Sequence, residues 1–211
     1  LCTFITSKNW KLHLVVLILF LLVAAGLIGY VVTHLPTQDE LKNDDNNFRF
    51  GRIIGWLYTD RYELDEGYQV KQSLYAIGSG SLLGKGLGSG TQKLEKIPEA
   101  QNDMIFAVIC EELGILGAGI LIMMFIYLIY QLFKIAGRAE TVFGRAMVAG
   151  IAIHIALQVV VNIFVVLMII PNTGVSLPFI SYGGSAVVFT MAEMGLALAV
   201  DREHFKAKVK R

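Results

Sequence analysis

Charged residues are almost absent from four long stretches of this 211-residue chain. Those stretches are 12–32, 104–133, 146–170 and 186–200. Their only Asp, Glu, Lys or Arg side chains are Glu111, Glu112 and Glu193. Hydrophobic residues make up 55% of the chain, whereas a typical soluble domain has about 45–50%. Such runs exclude an ordinary soluble domain and predict helices that cross a membrane, which need about 20 apolar residues each.

Other absences exclude further classes of protein. The net charge is only +1, so no basic excess argues for a nucleic acid partner. Cys2 and Cys110 are the only cysteines, and because Cys110 falls inside an apolar stretch we predict no disulfide. No GxGxxG motif follows a strand, and Gly84-Lys85 is followed by Gly86 rather than Ser or Thr. A dinucleotide-binding fold and a P-loop are therefore excluded.

The sequence predicts an all-α, polytopic membrane protein with four transmembrane helices and a large extracellular loop. The spans are predicted at 12–32, 104–133, 145–170 and 181–201, with the loop at 33–103 and a cytoplasmic tail at 202–211. The two termini and the connection between the second and third spans lie on one side of the membrane. These three short segments hold ten of the 18 basic residues. The long loop holds the other eight among eleven acidic residues. This asymmetry predicts that both termini are cytoplasmic. Because the chain begins with Leu1, we expect it to be the C-terminal part of a longer protein.

A glycine-rich segment at 84–90 has two interpretations. It is either a flexible hinge beside the membrane, or a place where Lys85 or the nearby Lys93 meets a phosphate group.

Asp103 stands where the polar loop meets the second span. One interpretation makes Asp103 or Asn102 the N-cap of that helix, since both residue types are favoured there. The other makes Asp103 a catalytic carboxylate, because helical spacing places it on one face with Glu111 and the small residues Ala107, Gly114 and Ala118. Small residues on such a face indicate contact with neighbouring helices.

Polar side chains also recur inside the third and fourth spans. His154, Gln158 and Asn162 form a stripe at intervals of four residues, and Glu193 lies in the next span. His154 and Glu193 lie at similar depths, about 13 and 12 Å from the inner helix ends. We therefore predict that they touch, either as a structural polar pair or as part of a proton relay.

Several ordered motifs resemble one known family. They are Ile97-Pro-Glu-Ala-Gln-Asn-Asp-Met-Ile-Phe-Ala-Val-Ile-Cys-Glu-Glu-Leu-Gly114, Pro171-Asn-Thr-Gly-Val-Ser-Leu-Pro-Phe-Ile-Ser-Tyr-Gly-Gly-Ser185, Gly67-Tyr-Gln69 and Gln72-Ser-Leu-Tyr-Ala-Ile-Gly-Ser-Gly80. This set resembles the SEDS family of the FtsW/RodA/SpoVE type, most closely its FtsW members. The resemblance implies a ten-helix bundle of which this chain holds the seventh to tenth helices.

The resemblance also implies a function. Its members are peptidoglycan glycosyltransferases that polymerise lipid II, the undecaprenyl-pyrophosphate-linked disaccharide peptide, and their essential aspartate corresponds to Asp103. A carboxylate there would act as general base. Candidate substrate-binding residues are Arg52, Lys85, Lys93, Glu99, Glu111, Thr173, Ser181 and Tyr182. No cofactor is evident, and no metal ligand is assigned, although a divalent cation such as Mg or Mn is an alternative source of positive charge.

The implied partners are a class B penicillin-binding protein and other divisome or elongasome membrane proteins, in the bacterial cytoplasmic membrane. Gly114, Ala118 and Gly150 suggest a surface for a partner's helix or, equally, for the helices that this chain lacks. Two alternatives remain open. One is a lipid II flippase, which would use the mid-membrane polar residues His154, Gln158 and Glu193. The other is a non-catalytic division scaffold, in which no single acidic residue matters.

Overall fold

The fold is built from helices. The computed structural model describes residues 65–90 and 102–209, together with Trp56 and six positions between 15 and 29. Its four helices are α1 (Asp65–Gly80), α2 (Ile105–Arg138), α3 (Val142–Val166) and α4 (Gly184–Val209). No strand occurs among these described residues, so the predicted all-α class is confirmed.

Three of these helices are long and apolar enough to cross a membrane. They are α2, α3 and the 184–205 part of α4, and they coincide with three of the four predicted spans. The first predicted span, 12–32, lies outside the described residues except for six isolated positions, all helical: Val15, Ile18, Leu19, Leu22, Gly26 and Gly29. The protein is an all-α polytopic membrane protein.

The ends of α2 and α3 differ from the predicted ones at their short connection. Helix α2 continues past the predicted end at Phe133 to Arg138. Helix α3 begins at Val142 rather than at Arg145, because the Thr141 hydroxyl accepts a hydrogen bond from the Gly144 amide and caps the first turn. A connection of three residues makes α2 and α3 antiparallel neighbours.

Helix α3 ends at Val166, four residues before the predicted end. Met168 takes a left-handed conformation, with φ at 58°. The Met168 amide donates to the Val165 carbonyl, and the Ile169 amide donates to the Phe164 carbonyl. This is a Schellman motif, which closes a helix by satisfying its last carbonyls. Glycine usually occupies the left-handed position. Because a methionine stands there instead, no signal in the sequence marks this helix end.

Helix α4 was also predicted with the wrong ends. It begins at Gly184 rather than at residue 181, because the 171–183 segment is not helical and contains a turn at 178–180. It continues to Val209 rather than ending at Asp201. No glycine or proline interrupts 201–209, and Lys, Arg and Glu are good helix formers. Most of the predicted tail therefore extends the helix.

The core lies between α1, α2 and α3. Helix α2 packs along α3, and α1, which belongs to the predicted loop, packs against the first half of α2. Val70 and Ala76 of α1 are buried with Phe106, Cys110 and Ile155. Helix α1 thus lies at the end of the bundle where α2 begins and α3 ends, which we name the α1 end.

Much apolar surface remains uncovered on α2 and α4. Exposed side chains there include Ile120, Met123, Ile126, Phe189 and Leu198. Soluble proteins rarely expose apolar patches of this extent. This surface is therefore suited to lipid tails or to other transmembrane helices.

Gly114 and Ala118 of α2 do not form an external surface. Ala118 is buried, and Gly114 touches Leu82 and Gly84 of the same chain. The expectation that Gly114 and Ala118 present a surface for a partner's helix was therefore wrong. Their small size serves packing within this chain.

Candidate functional site

Helix α2 is broken at Gly114, and the turn that follows α1 fills the break. Gly114 has φ 70° and ψ −174°, a region open essentially to glycine alone. The carbonyls of Glu111 and Glu112 accept from the amides of Lys85 and Gly86 instead of from their own helix. In return, the amides of Ile115 and Leu116 donate to the carbonyls of Ser81 and Leu82. These four hydrogen bonds satisfy backbone groups that an apolar environment would otherwise leave unpaired.

Three glycines make this exchange sterically feasible. A Cβ atom on Gly80 would overlap the Cys110 carbonyl, and one on Gly84 would overlap the Glu112 carbonyl. A Cβ atom on Gly114 would overlap Gly84 and Leu82. All three clashes involve backbone atoms, which cannot rotate away as a side chain can. Residues 84–86 of the glycine-rich segment therefore form a docked turn and not the free hinge that one interpretation of the sequence expected, whereas residues 87–89 are exposed.

An ion pair secures the same turn. The Nζ atom of Lys85 lies 2.7 Å from the Oε1 atom of Glu111. Glu111 is fully buried, with 0% of its side chain exposed, while Lys85 is 32% exposed. Lys85 is thus already engaged by a carboxylate, so its predicted contact with a phosphate competes with this pair.

Asp103 lies in a turn immediately before α2. The N-cap position belongs to Met104, whose side chain makes no capping hydrogen bond. The interpretation of Asp103 or Asn102 as the N-cap was therefore wrong. Asp103 is partly exposed, at the α1 end of the bundle.

Asn162 ties the Asp103 backbone to another segment. Its Nδ2 atom donates to the Asp103 carbonyl at 2.8 Å and to the Val175 carbonyl at 2.7 Å. The Asn162 side chain is completely buried. The polar stripe in the sequence included Asn162, but carbonyl partners leave no sequence signal, so this role was missed.

The segment 171–183 is organised by local polar contacts. The Asn172 side chain accepts from the Gly174 amide, and the buried Ser181 hydroxyl accepts from the Leu177 amide. The Ser181 hydroxyl therefore already has a structural role, which is to hold the Leu177 amide. Thr173 and Tyr182 are exposed, and 79% of Tyr182 is accessible.

The predicted contact between His154 and Glu193 is present. The Nδ1 atom of His154 lies 2.9 and 3.1 Å from the two carboxylate oxygens of Glu193. His154 sits at the middle of α3, and 57% of its side chain is exposed. A groove of about 440 Å³ leads from it past Gln158 to the Gly174–Ser176 segment.

Three predicted site residues lie outside the described residues, namely Arg52, Lys93 and Glu99. Within the part of the chain that the structure describes, no group of three or more His, Cys, Asp or Glu side chains could hold a metal ion. Cys110 is buried and free.

Comparison with known proteins identifies the family of the chain. A family model described as "Cell cycle protein", for FtsW, RodA and SpoVE, matches residues 2–206. The chain belongs to this FtsW/RodA/SpoVE family. The similarity thus covers both the broken helix α2 and the 171–183 segment.

Three similar proteins give the family context. Stage V sporulation protein E of Bacillus subtilis (strain 168) is 42% identical over 155 residues, covering 74% of this chain and 42% of that protein. Peptidoglycan glycosyltransferase MrdB of Escherichia coli (strain K12) is 44% identical over 156 residues, with the same two coverages. A chain from a peptidoglycan synthase complex that coordinates polymerization and crosslinking matches with a TM-score of 0.69 and 29% identity, covering 97% of this chain and 52% of that chain.

The chain spans about half the length of these relatives or less. Sporulation and MrdB proteins match as well as FtsW proteins do. The predicted leaning towards the FtsW type therefore stays a prediction.

Proposed function

We propose that the whole protein is a peptidoglycan glycosyltransferase that polymerises lipid II at the outer face of the bacterial cytoplasmic membrane, for cell division or elongation. The observation that carries this proposal is the position of Asp103. It lies at the start of a membrane-crossing helix, and Asn162 holds its backbone. The sugar headgroup of a membrane-anchored substrate must lie at the same boundary. Relatives named peptidoglycan glycosyltransferase support the proposal.

The proposed reaction joins two lipid-linked saccharides. Asp103 accepts the proton of a sugar hydroxyl, whose oxygen attacks the anomeric carbon of the second substrate. A new glycosidic bond forms while the bond from that carbon to undecaprenyl pyrophosphate breaks, and the pyrophosphate leaves as an anion. A positioned general base contributes about 10²–10⁴-fold to such a reaction.

The departing pyrophosphate needs positive charge close to it. Lys85 is paired with Glu111. To contact the pyrophosphate, Lys85 would have to leave the Glu111 carboxylate. Arg52 and Lys93 are the other basic candidates, and a divalent cation such as Mg or Mn would serve the same purpose. Glu99, Thr173, Ser181 and Tyr182 remain proposed substrate contacts.

The proposed partner is a class B penicillin-binding protein. The similarity to a chain of a peptidoglycan synthase complex supports this proposal. The proposed orientation puts both termini in the cytoplasm and the α1 end outside.

A lipid II flippase is the competing function. It would depend on His154 and Glu193 at mid-membrane depth rather than on Asp103. The Nδ1 atom of His154 already contacts the Glu193 carboxylate, so a passing substrate would have to compete with that contact, which favours the polymerase.

Polymerisation by the full-length protein tests the proposal. The protein, purified with its penicillin-binding partner, is incubated with fluorescent lipid II, and glycan strands are resolved on a gel. We expect long strands from the wild-type protein. Transport of lipid II across liposomes without any strand formation would support the flippase, and the absence of both would support a scaffold.

A further inference from the structure

Asn162 connects two segments that are distant in sequence. One of its two amide hydrogens reaches the Asp103 carbonyl, and the other reaches the Val175 carbonyl. An asparagine NH₂ group has only two hydrogens, so both are used. The Oδ1 atom of Asn162 has no hydrogen-bond partner among the described residues. Both hydrogen bonds that the Asn162 side chain makes are therefore donated to these two carbonyls.

This amide does not serve its own helix. Buried polar side chains in transmembrane helices often bond to the preceding turn, as Thr190 does with the Ala186 carbonyl. Asn162 instead lies among buried apolar neighbours, such as Val159 and Val166, and bonds outside α3. Burying an amide is costly unless it is hydrogen-bonded. The two bonds therefore offset a cost that an apolar residue would avoid.

From this geometry we infer that Asn162 is the positioning residue for Asp103. The carbonyl carbon and the side chain of Asp103 share one Cα atom, so holding the carbonyl limits where the carboxylate can lie. Through Val175, the same amide sets the position of the 171–183 segment relative to Asp103. This inference rests on the proposed function.

The expected consequence is kinetic. Displacing a catalytic group by about 1 Å can reduce a rate about 10²-fold. Loss of both donors should therefore lower kcat by at least about tenfold. KM should change less, because the inferred role of Asn162 is to place the Asp103 carboxylate and not to bind the substrate.

Two variants of Asn162 separate the effect of losing the hydrogen-bond donors from the effect of changing the side-chain volume. Asn162→Gln and Asn162→Leu both enlarge the side chain, but only Gln keeps two donors. We expect the Gln variant of the full-length protein to be slower than wild type, because its amide lies one methylene farther from α3, but to keep a higher kcat than the Leu variant, with similar unfolding temperatures. Thr190→Val is the control, since it removes a buried hydroxyl that bonds only within α4, and it should leave kcat near the wild-type value.

The outcomes distinguish the two proposals. A wild-type protein that makes no glycan strands would defeat the proposed function. An active wild type with equal kcat in the Gln and Leu variants would overturn the role of Asn162. If the Leu variant does not accumulate in membranes, Asn162→Ser, which is smaller and keeps one donor, should lie between wild type and inactive. Wild-type kcat in the Ser variant would also overturn the inference.

Discussion

The Nζ atom of Lys85 lies 2.7 Å from the Oε1 atom of the fully buried Glu111. The two residues belong to the turn after α1 and to the part of α2 that precedes its break. Their side chains reinforce the backbone exchange between the same two segments. The ion pair therefore fixes the first part of α2, the part that begins beside Asp103.

Removing the cation of this pair should destabilise the protein. In Lys85→Met, Glu111 keeps its burial but loses the Lys85 charge, and breaking a buried pair in this way costs about 3 kcal/mol. We expect the unfolding temperature of the full-length protein in detergent to fall by several degrees. Lys134→Met, at an exposed position of α2, is the matched control. Equal unfolding temperatures for the two variants would show that the pair contributes nothing.

The break in α2 should tolerate no side chain at Gly114. Gly114→Ala forces a Cβ atom into backbone atoms of Leu82 and Gly84, and the required φ of 70° adds strain of about 1–3 kcal/mol. We expect a large loss of monodisperse protein in size-exclusion chromatography.

Gly119 provides the control for this experiment. A Cβ atom there would meet nothing within 4 Å. Gly119→Ala should therefore behave like wild type. If Gly114→Ala behaves in the same way, the docked turn is not required for the fold.

The contact between His154 and Glu193 can be tested by crosslinking. In a background with Cys2→Ser, Cys110→Ala and every cysteine of the N-terminal part replaced, His154→Cys with Glu193→Cys should be joined efficiently by a short bifunctional thiol reagent. The control pairs His154→Cys with Met191→Cys, which lies about 200° around α4 from Glu193. Similar yields for both pairs would contradict the observed contact.

The proposed orientation in the membrane rests on the charge distribution. In the same cysteine-free background, Asn46→Cys should react with a membrane-impermeant maleimide in intact cells. Gly137→Cys, near the opposite end of the bundle, should react only after the cells are permeabilised. The reverse pattern of labelling would invert the proposed topology.

The spans and the polar pair could be predicted because they depend on composition and depth. Uncharged stretches predicted the positions of α2, α3 and α4. Similar depths along their helices predicted the contact between His154 and Glu193. Helix ends depend on local geometry instead, such as the left-handed Met168 and the Thr141 cap. The break at Gly114 depends on residues 80–86, and a glycine in an apolar run more often indicates close packing. Its partners could therefore not be identified from the pattern.

Replacement of Asp103 by Asn tests the central claim most directly. The substitution keeps the shape of the side chain but removes its basicity, so membrane insertion should survive. We expect the full-length protein to polymerise lipid II at least about 10²-fold more slowly, with a smaller loss for Glu111→Gln. Asp201→Asn, at the opposite end of the bundle, should retain the wild-type rate. A near-normal rate for Asp103→Asn would contradict the account.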